Sequence, residues 1–85
     1  MPHFVYIIYS ETRERYYIGS CADLEIRLKR HNAGATTSTK NGRPWKMVCN
    51  ETFSSKTEAL KREINIKKMK SRIYIEELIR KSETR

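Results

Sequence analysis

The 85 residues have room for one domain with one modest hydrophobic core. Hydrophobic residues at 38% against 33% charged, with the apolar runs regularly patterned, exclude a disordered tail. The 18 Lys and Arg against 10 Asp and Glu leave a formal charge of +8, an excess that points to a polyanionic partner, because cations placed on a phosphate backbone release its counterions.

Cys21 and Cys49 stand far apart with no C-x-x-C pair, which argues against a disulfide framework or a zinc site and for two reduced thiols in a cytoplasmic protein. The opening residues 1–10 lack a basic leader, and their apolar run is too short for a signal peptide or a membrane span. No membrane partner is expected.

Residues 4–9, F-V-Y-I-I-Y, form an unbroken β-branched and aromatic run, the pattern of a strand covered on both faces and central in its sheet. A polar turn at 11–14 leads into the returning strand Arg15 to Gly19, so the pair is predicted to be a hairpin. With the turn centred near Thr12 and Arg13, Tyr6 falls opposite Gly19 and Tyr17 opposite Ile8. Both phenols then project from one face as diagonal neighbours, whereas a one-residue slip would separate them. The missing side chain at Gly19 is read in two ways, as open space for a ligand beside the phenols or simply as the end of the strand.

Ser20-x-x-Asp23 is a capping pattern for a helix from about Asp23 to His31, ended by Asn32-Ala33-Gly34. Arg27 and His31 share the four-residue spacing of Leu24 and Leu28, which turns them toward the protein at the edge of the apolar stripe. Ile26 lies on the far face and is expected to pack against a later helix. Residues 33–44 form a hydroxyl-rich loop carrying Lys40 and Arg43, groups suited to phosphate oxygens, although such a loop is also merely flexible in many domains.

Residues 45–53 partly alternate and are predicted to form a third strand, entered through Pro44. Ser55-x-x-Glu58 is a capping box opening a helix that runs to about Lys67. Its expected buried stripe is Ala59, Leu60 and Ile64, with Glu63 inside it. A carboxylate there is costly unless an internal cation or a metal meets it. Ser71 caps a last amphipathic helix, with Ile75, Leu78 and Ile79 inward and Glu76, Arg80 and Lys81 outward. The domain is expected to span 1–82, followed by a frayed tail at 83–85.

Two phenols, an arginine, a histidine and a carboxylate in a basic domain are the materials of phosphodiester hydrolysis. That reaction needs an activated nucleophile, a cation for developing phosphate charge and help for the leaving oxygen. Arg27 offers a permanently charged planar fork, and Glu63 offers the single carboxylate that suffices for a largely hydrated Mg²⁺. A phenol is a poor base at its ordinary pKa of about 10, and His31 is the conventional alternative. Each residue taken singly also has an ordinary structural reading.

The ordered motifs resemble the GIY-YIG nuclease domain in its small stand-alone bacterial form, over nearly the whole chain. Phe4-Val5-Tyr6 stands at the first motif, with Phe4 in place of the name-giving glycine and Val5 in place of its isoleucine, and Tyr17-Ile18-Gly19 matches the second in full. D-L-E-I-R-L-K-R-H-N carries the family arginine and histidine at Arg27 and His31, and the helix E-A-L-K-R-E carries the family glutamate at Glu63. The resemblance implies an α+β fold, a three-stranded antiparallel sheet flanked by about three helices. It also implies a metal-dependent endonuclease acting on DNA, with repair or recombination as its setting. Tyr6 or Tyr17 would help activate water, Arg27 would stabilise the phosphate, His31 would assist, and Glu63 would hold one Mg²⁺ or Mn²⁺. Lys29, Arg30, Lys40 and Arg43 are the expected nucleic-acid contacts. A non-catalytic nucleic-acid-binding module of the same fold, or one needing a partner protein, is the alternative.

Overall fold

A computed structural model describes residues 2–83. Its elements run β1 (His3–Ser10), β2 (Arg15–Cys21), α1 (Leu24–Asn32), a single 3-10 turn (Lys40–Gly42), β3 (Trp45–Phe53), α2 (Lys56–Met69) and α3 (Arg72–Glu83). The sheet is antiparallel with order β2-β1-β3, which places the apolar run of β1 in the centre, as its continuous hydrophobicity requires. α3 runs through Glu83, one residue beyond the limit expected from sequence; the rest of the expected tail, Thr84 and Arg85, lies outside the described residues.

The alternation of strand side chains divides the interior into two layers. Val5, Ile7, Ile18 and Cys49 face α2 and α3, where they meet Ala59, Ile66, Ile75, Leu78 and Ile79. Tyr6, Ile8, Cys21 and Trp45 face the other way, against Leu24 and Leu28 of α1 with Tyr17 and Met47 beside them. The hairpin register is the expected one, Tyr6 opposite Gly19 and Ile8 opposite Tyr17. Both phenols therefore stand on the α1 face.

Several local expectations are revised. Asp23, rather than Ser20, caps α1, its carboxylate accepting from the Ile26 amide at 3.1 Å. Ile26 packs against no later helix; it is 56% exposed because α2 and α3 occupy the opposite face of the sheet. On α2, Leu60 and Ile64 are exposed, and the inward positions are Ala59, Arg62, Glu63 and Ile66. These four keep the i, i+3, i+4, i+7 spacing of a buried stripe, with two charged residues at its middle. Ala59 and Ile66 seat the helix on the sheet while the two charges splay to either side. Arg62 makes a two-pronged bond to Glu51 of β3, at 2.8 and 3.2 Å, and also donates to the Tyr74 hydroxyl at 3.2 Å. Glu63 turns toward β2.

Residues 33–44 are a pinned segment rather than a free loop. The Asn32 side chain bonds both backbone groups of Trp45, at 2.6 and 3.1 Å. The Trp45 indole N–H donates to the Thr39 carbonyl at 2.7 Å. Arg13, from the hairpin turn, donates to the Asn41 carbonyl at 3.4 Å. These bonds hold the segment over the α1 face, and with it Thr39.

Candidate active site

Tyr6, Tyr17, Arg27 and His31 converge on the α1 face of the sheet. Strand alternation aims the two phenols, and the helical spacing aims the guanidinium and the imidazole back toward them. The Tyr6 hydroxyl lies 2.9 Å from Nε2 of His31, and the Tyr17 ring stands edge-on to the imidazole with centroids 5.2 Å apart. Tyr6 and His31 are each only 1% exposed, while Tyr17 and Arg27 are half-buried and reach the surface.

The space expected beside Gly19 is filled by Tyr6 itself. A Cβ at Gly19 would run into the Tyr6 hydroxyl and ring, so the glycine serves to let the phenol lie flat across β2 toward His31. It provides no opening for a ligand.

His31 is held from both sides. Its Nδ1 is 2.8 Å from the hydroxyl oxygen of Thr39, and that hydroxyl is 3.3 Å from the Thr36 carbonyl. The Thr39 hydroxyl can hold its one proton toward the Thr36 carbonyl and accept from His31. In that arrangement Nδ1 carries the imidazole proton and Nε2 accepts from the Tyr6 O–H. The Arg27 guanidinium lies near enough to the Tyr6 hydroxyl to favour its ionised form. A chain of hydrogen bonds thus runs from the Thr36 carbonyl through Thr39 and His31 to Tyr6, with the Arg27 charge beside its end. Among the described residues no buried side-chain nitrogen or oxygen lacks a partner.

Burial keeps this chain neutral. It pushes the Tyr6 phenol up to about 12, with Arg27 pulling the other way. Burial and, next, the Arg27 charge hold the His31 imidazole below its ordinary value. Burial likewise raises the Cys21 thiol, which packs in the same layer.

Glu63 enters from α2 around the open edge of β2. Its side chain is 14% exposed, and Lys67, one helical turn on, places its ammonium 2.6 Å from the carboxylate and 5.9 Å from the Tyr17 ring centroid. The cation required by a carboxylate on a buried stripe is therefore Lys67. Among the described residues no cluster of three or more His, Cys, Asp and Glu is suited to a metal. The donor set is a single hard carboxylate already paired with a cation, which fits an ion such as Mg²⁺ that keeps most of its water.

The expected backbone-contact residues are dispersed. Lys40 and Arg43 line an open, polar hollow of about 470 Å³ next to Asn32. Lys29 and Arg30 are exposed on the outer side of α1, where Lys29 pairs with Glu25 at 3.6 Å. Thr39, Lys67 and Trp45 belong to the site but carry no sequence signal of their own. The nearest was the density of hydroxyls in residues 33–44.

Comparison with known proteins places this arrangement among relatives. A family model described as the GIY-YIG catalytic domain matches residues 2–78. A UPF0213 protein of Staphylococcus haemolyticus is 42% identical over 66 residues, 76% of this chain and 79% of that protein. The UPF0213 protein YazA of Bacillus subtilis is 38% identical over 79 residues, 88% of this chain and 79% of its own. The solution NMR structure of a UPF0213 protein from Bacillus halodurans matches with a TM-score of 0.58 at 34% identity, covering 93% of this chain and 83% of that one. No helix among the described residues is long and apolar enough to cross a membrane.

Proposed function

The chain belongs to the GIY-YIG family, and from that premise we propose that it is an endonuclease that hydrolyses phosphodiester bonds in DNA with the help of one divalent cation. The observation that carries this reading is the buried hydrogen-bond chain from Thr39 through His31 to Tyr6, set beside the charge of Arg27. A module that only binds nucleic acid needs cations at its surface. It has no use for buried neutral groups set behind one guanidinium. A fixed guanidinium is what transition-state charge on a phosphate requires, since a donor already in place costs no reorganisation when that charge develops.

In this reading Arg27 and Tyr17, the two members that reach the surface, meet the substrate. Arg27 lies against the non-bridging oxygens of the scissile phosphate. The Tyr17 hydroxyl accepts a hydrogen bond from the attacking water and orients it. As the new P–O bond forms the water's proton passes to solvent, the P–O bond to the leaving oxygen breaks, and that oxygen is protonated from bulk water. Tyr6 and His31 work behind them as positioning residues, the first beside Arg27 and the second holding Tyr6. Glu63 would hold Mg²⁺ or Mn²⁺, which when bound supplies a Lewis acid for the phosphate oxygens. The excess of 18 Lys and Arg over 10 Asp and Glu supports a polyanionic substrate. Lys40 and Arg43, around their polar hollow, are suited to flanking phosphates.

The test is nicking of supercoiled plasmid and of branched oligonucleotides with Mg²⁺ or Mn²⁺, comparing wild type with Arg27→Ala, Tyr17→Phe and Glu63→Ala proteins purified identically. Cleavage should require the metal and fall by about 10²-fold or more in each variant. Salt-sensitive binding without cleavage would reduce the protein to the binding module. Cleavage that survives all three substitutions would remove these residues from the site.

A further inference from the structure

A small hollow of about 220 Å³ lies between the β1–β2 turn and the pinned segment, lined by Arg13, Arg15, Ser38, Asn41, Gly42 and Trp45 and by no carboxylate. Both of its walls are fixed. The Arg13 amide donates to the Ser10 hydroxyl at 3.1 Å, and the Thr12 hydroxyl donates across to the Arg43 carbonyl at 3.4 Å. The Trp45 indole closes the floor against Gly42, where a Cβ would sit 2.4 Å from the ring. Arg13 donates its Nε–H to the Asn41 carbonyl at 3.4 Å, which leaves its terminal nitrogens without a partner among the described residues. The exposed side chain of Arg15 makes no hydrogen bond or ion pair among them.

The hollow adjoins the candidate active site. Arg15 and Tyr17 are two residues apart on β2, so strand alternation puts both side chains on the α1 face, about 7 Å from one another along the strand. Trp45 supplies a second link, since the ring that floors the hollow also meets the Tyr17 ring edge-on, with centroids 6.4 Å apart. On its other side the hollow shares Asn41 with the one lined by Lys40 and Arg43. Three cationic stations therefore follow one another: Arg27 at Tyr17, then Arg15 with Arg13, then Lys40 with Arg43. The step between the first two is comparable to that between neighbouring phosphates on one nucleic-acid strand.

The lining selects an anion. Each guanidinium presents a planar fork suited to two phosphate oxygens, and the Ser38 hydroxyl and Asn41 amide add neutral donors beside them. With no acid in the lining, nothing in the hollow offsets the two charges. At about 220 Å³ it is smaller than the ~300 Å³ at which sites for whole organic ligands begin, so it takes a phosphate group and not a base. We propose that Arg15 and Arg13, with Ser38 and Asn41, bind the phosphate next to the scissile one, so that the cut strand runs along β2 from Tyr17 toward the β1–β2 turn. This rests on the nuclease reading above and adds to it a second phosphate seat and the course of the strand.

The test is isothermal titration calorimetry without divalent cation. The probe is thymidine 3′,5′-bisphosphate, which carries two neighbouring phosphates of a strand, compared with the two thymidine monophosphates. Wild type should bind the bisphosphate about tenfold more tightly than either monophosphate, the gain expected from one further charge-assisted contact. Arg15→Gln breaks no bond within the protein and should reduce that advantage; Arg13→Gln added to it should bring the ratio close to one. Arg27→Ala should do the same from the other seat. Lys61→Gln with Lys68→Gln removes as much charge from exposed positions of α2, across the sheet, and should leave the ratio unchanged. Equal affinity of wild type for bisphosphate and monophosphates would overturn the second seat. An advantage that survives the Arg13 and Arg15 substitutions or Arg27→Ala, or one that falls as far in the α2 variant, would overturn it too. Wild type that nicks plasmid but shows no advantage would lose this seat alone. Wild type that shows the advantage but does not nick would lose the nuclease reading and keep two adjacent phosphate seats.

Discussion

The Tyr6 hydroxyl meets Nε2 of His31 across 2.9 Å, while Nδ1 of the same ring meets the Thr39 hydroxyl across 2.8 Å. Two groups that titrate on either side of neutrality are thus locked together in their uncharged forms. The lock is part of the fold as well as of the site, because it lies in the buried layer between α1 and the sheet.

Stability should therefore fall away at both ends of the pH scale. His31 has its pKa lowered by burial and by Arg27. Its contribution is present above the ordinary histidine value of about 6.5 and is lost as pH falls through the lower folded value. Tyr6 is raised to about 12 by burial. Its contribution is complete below the ordinary value of about 10 and is lost as pH climbs from there to about 12, a loss of order 2 kcal/mol. Melting temperatures measured across pH should show this alkaline fall in wild type and a shallower one in Tyr6→Phe. Identical alkaline slopes would mean that Tyr6 is not the sealed phenol.

Thr39→Val should disturb His31 before it disturbs the fold. Valine keeps the shape and removes the hydroxyl, leaving the buried Nδ1 of His31 unpaired at a cost of about 1–3 kcal/mol. The ¹⁵N resonances of His31 should report an Nδ1–H tautomer in wild type and in Thr39→Ser, and a mixed population in Thr39→Val. Cleavage should drop about tenfold or more in the valine variant alone, because the drift passes through Tyr6 to Arg27.

What was legible in the sequence follows from what periodicity can carry. The run in β1 and the hairpin register follow from period two, and with them the shared face of Tyr6 and Tyr17. The four-residue spacing of Arg27 and His31 brings both inward. Patterning by apolar residues misleads on α2, where Leu60 and Ile64 suggest a buried side that in fact faces solvent. There the inward positions are held by charges with tertiary partners, Glu51 for Arg62 and Lys67 for Glu63. No local pattern encodes those partners. Thr39 is hidden for the same reason: one hydroxyl among several in residues 33–44 is selected by a contact with a histidine eight residues away.

The Arg62–Glu51 pair offers a control that separates fold from chemistry. It joins α2 to β3 and, through Tyr74, to α3, on the face of the sheet opposite the phenols. Glu51→Gln weakens a partly buried two-pronged bond and should lower stability by about 1–2 kcal/mol in chemical denaturation. At a temperature where the variant remains folded, its cleavage rate and metal requirement should match wild type. A selective loss of activity would place Glu51 in the site.

Lys67→Met tests whether the ammonium keeps a seat that a metal takes over. The Glu63 carboxylate is 14% exposed and pairs with Lys67 at 2.6 Å, so a divalent cation reaching the same oxygens must displace or share with that ammonium. Removing the ammonium while keeping the length of the stem should have two linked effects. In chelator the carboxylate is left without its cation, and stability should fall by about 1–3 kcal/mol. With Mn²⁺ present, affinity measured by electron paramagnetic resonance should rise, and the ion should restore the lost stability through linkage of binding to folding. Glu63→Gln should show neither the binding nor the rescue. The same Mn²⁺ affinity in wild type, Lys67→Met and Glu63→Gln would place the ion away from this carboxylate and leave Glu63–Lys67 as a purely structural pair.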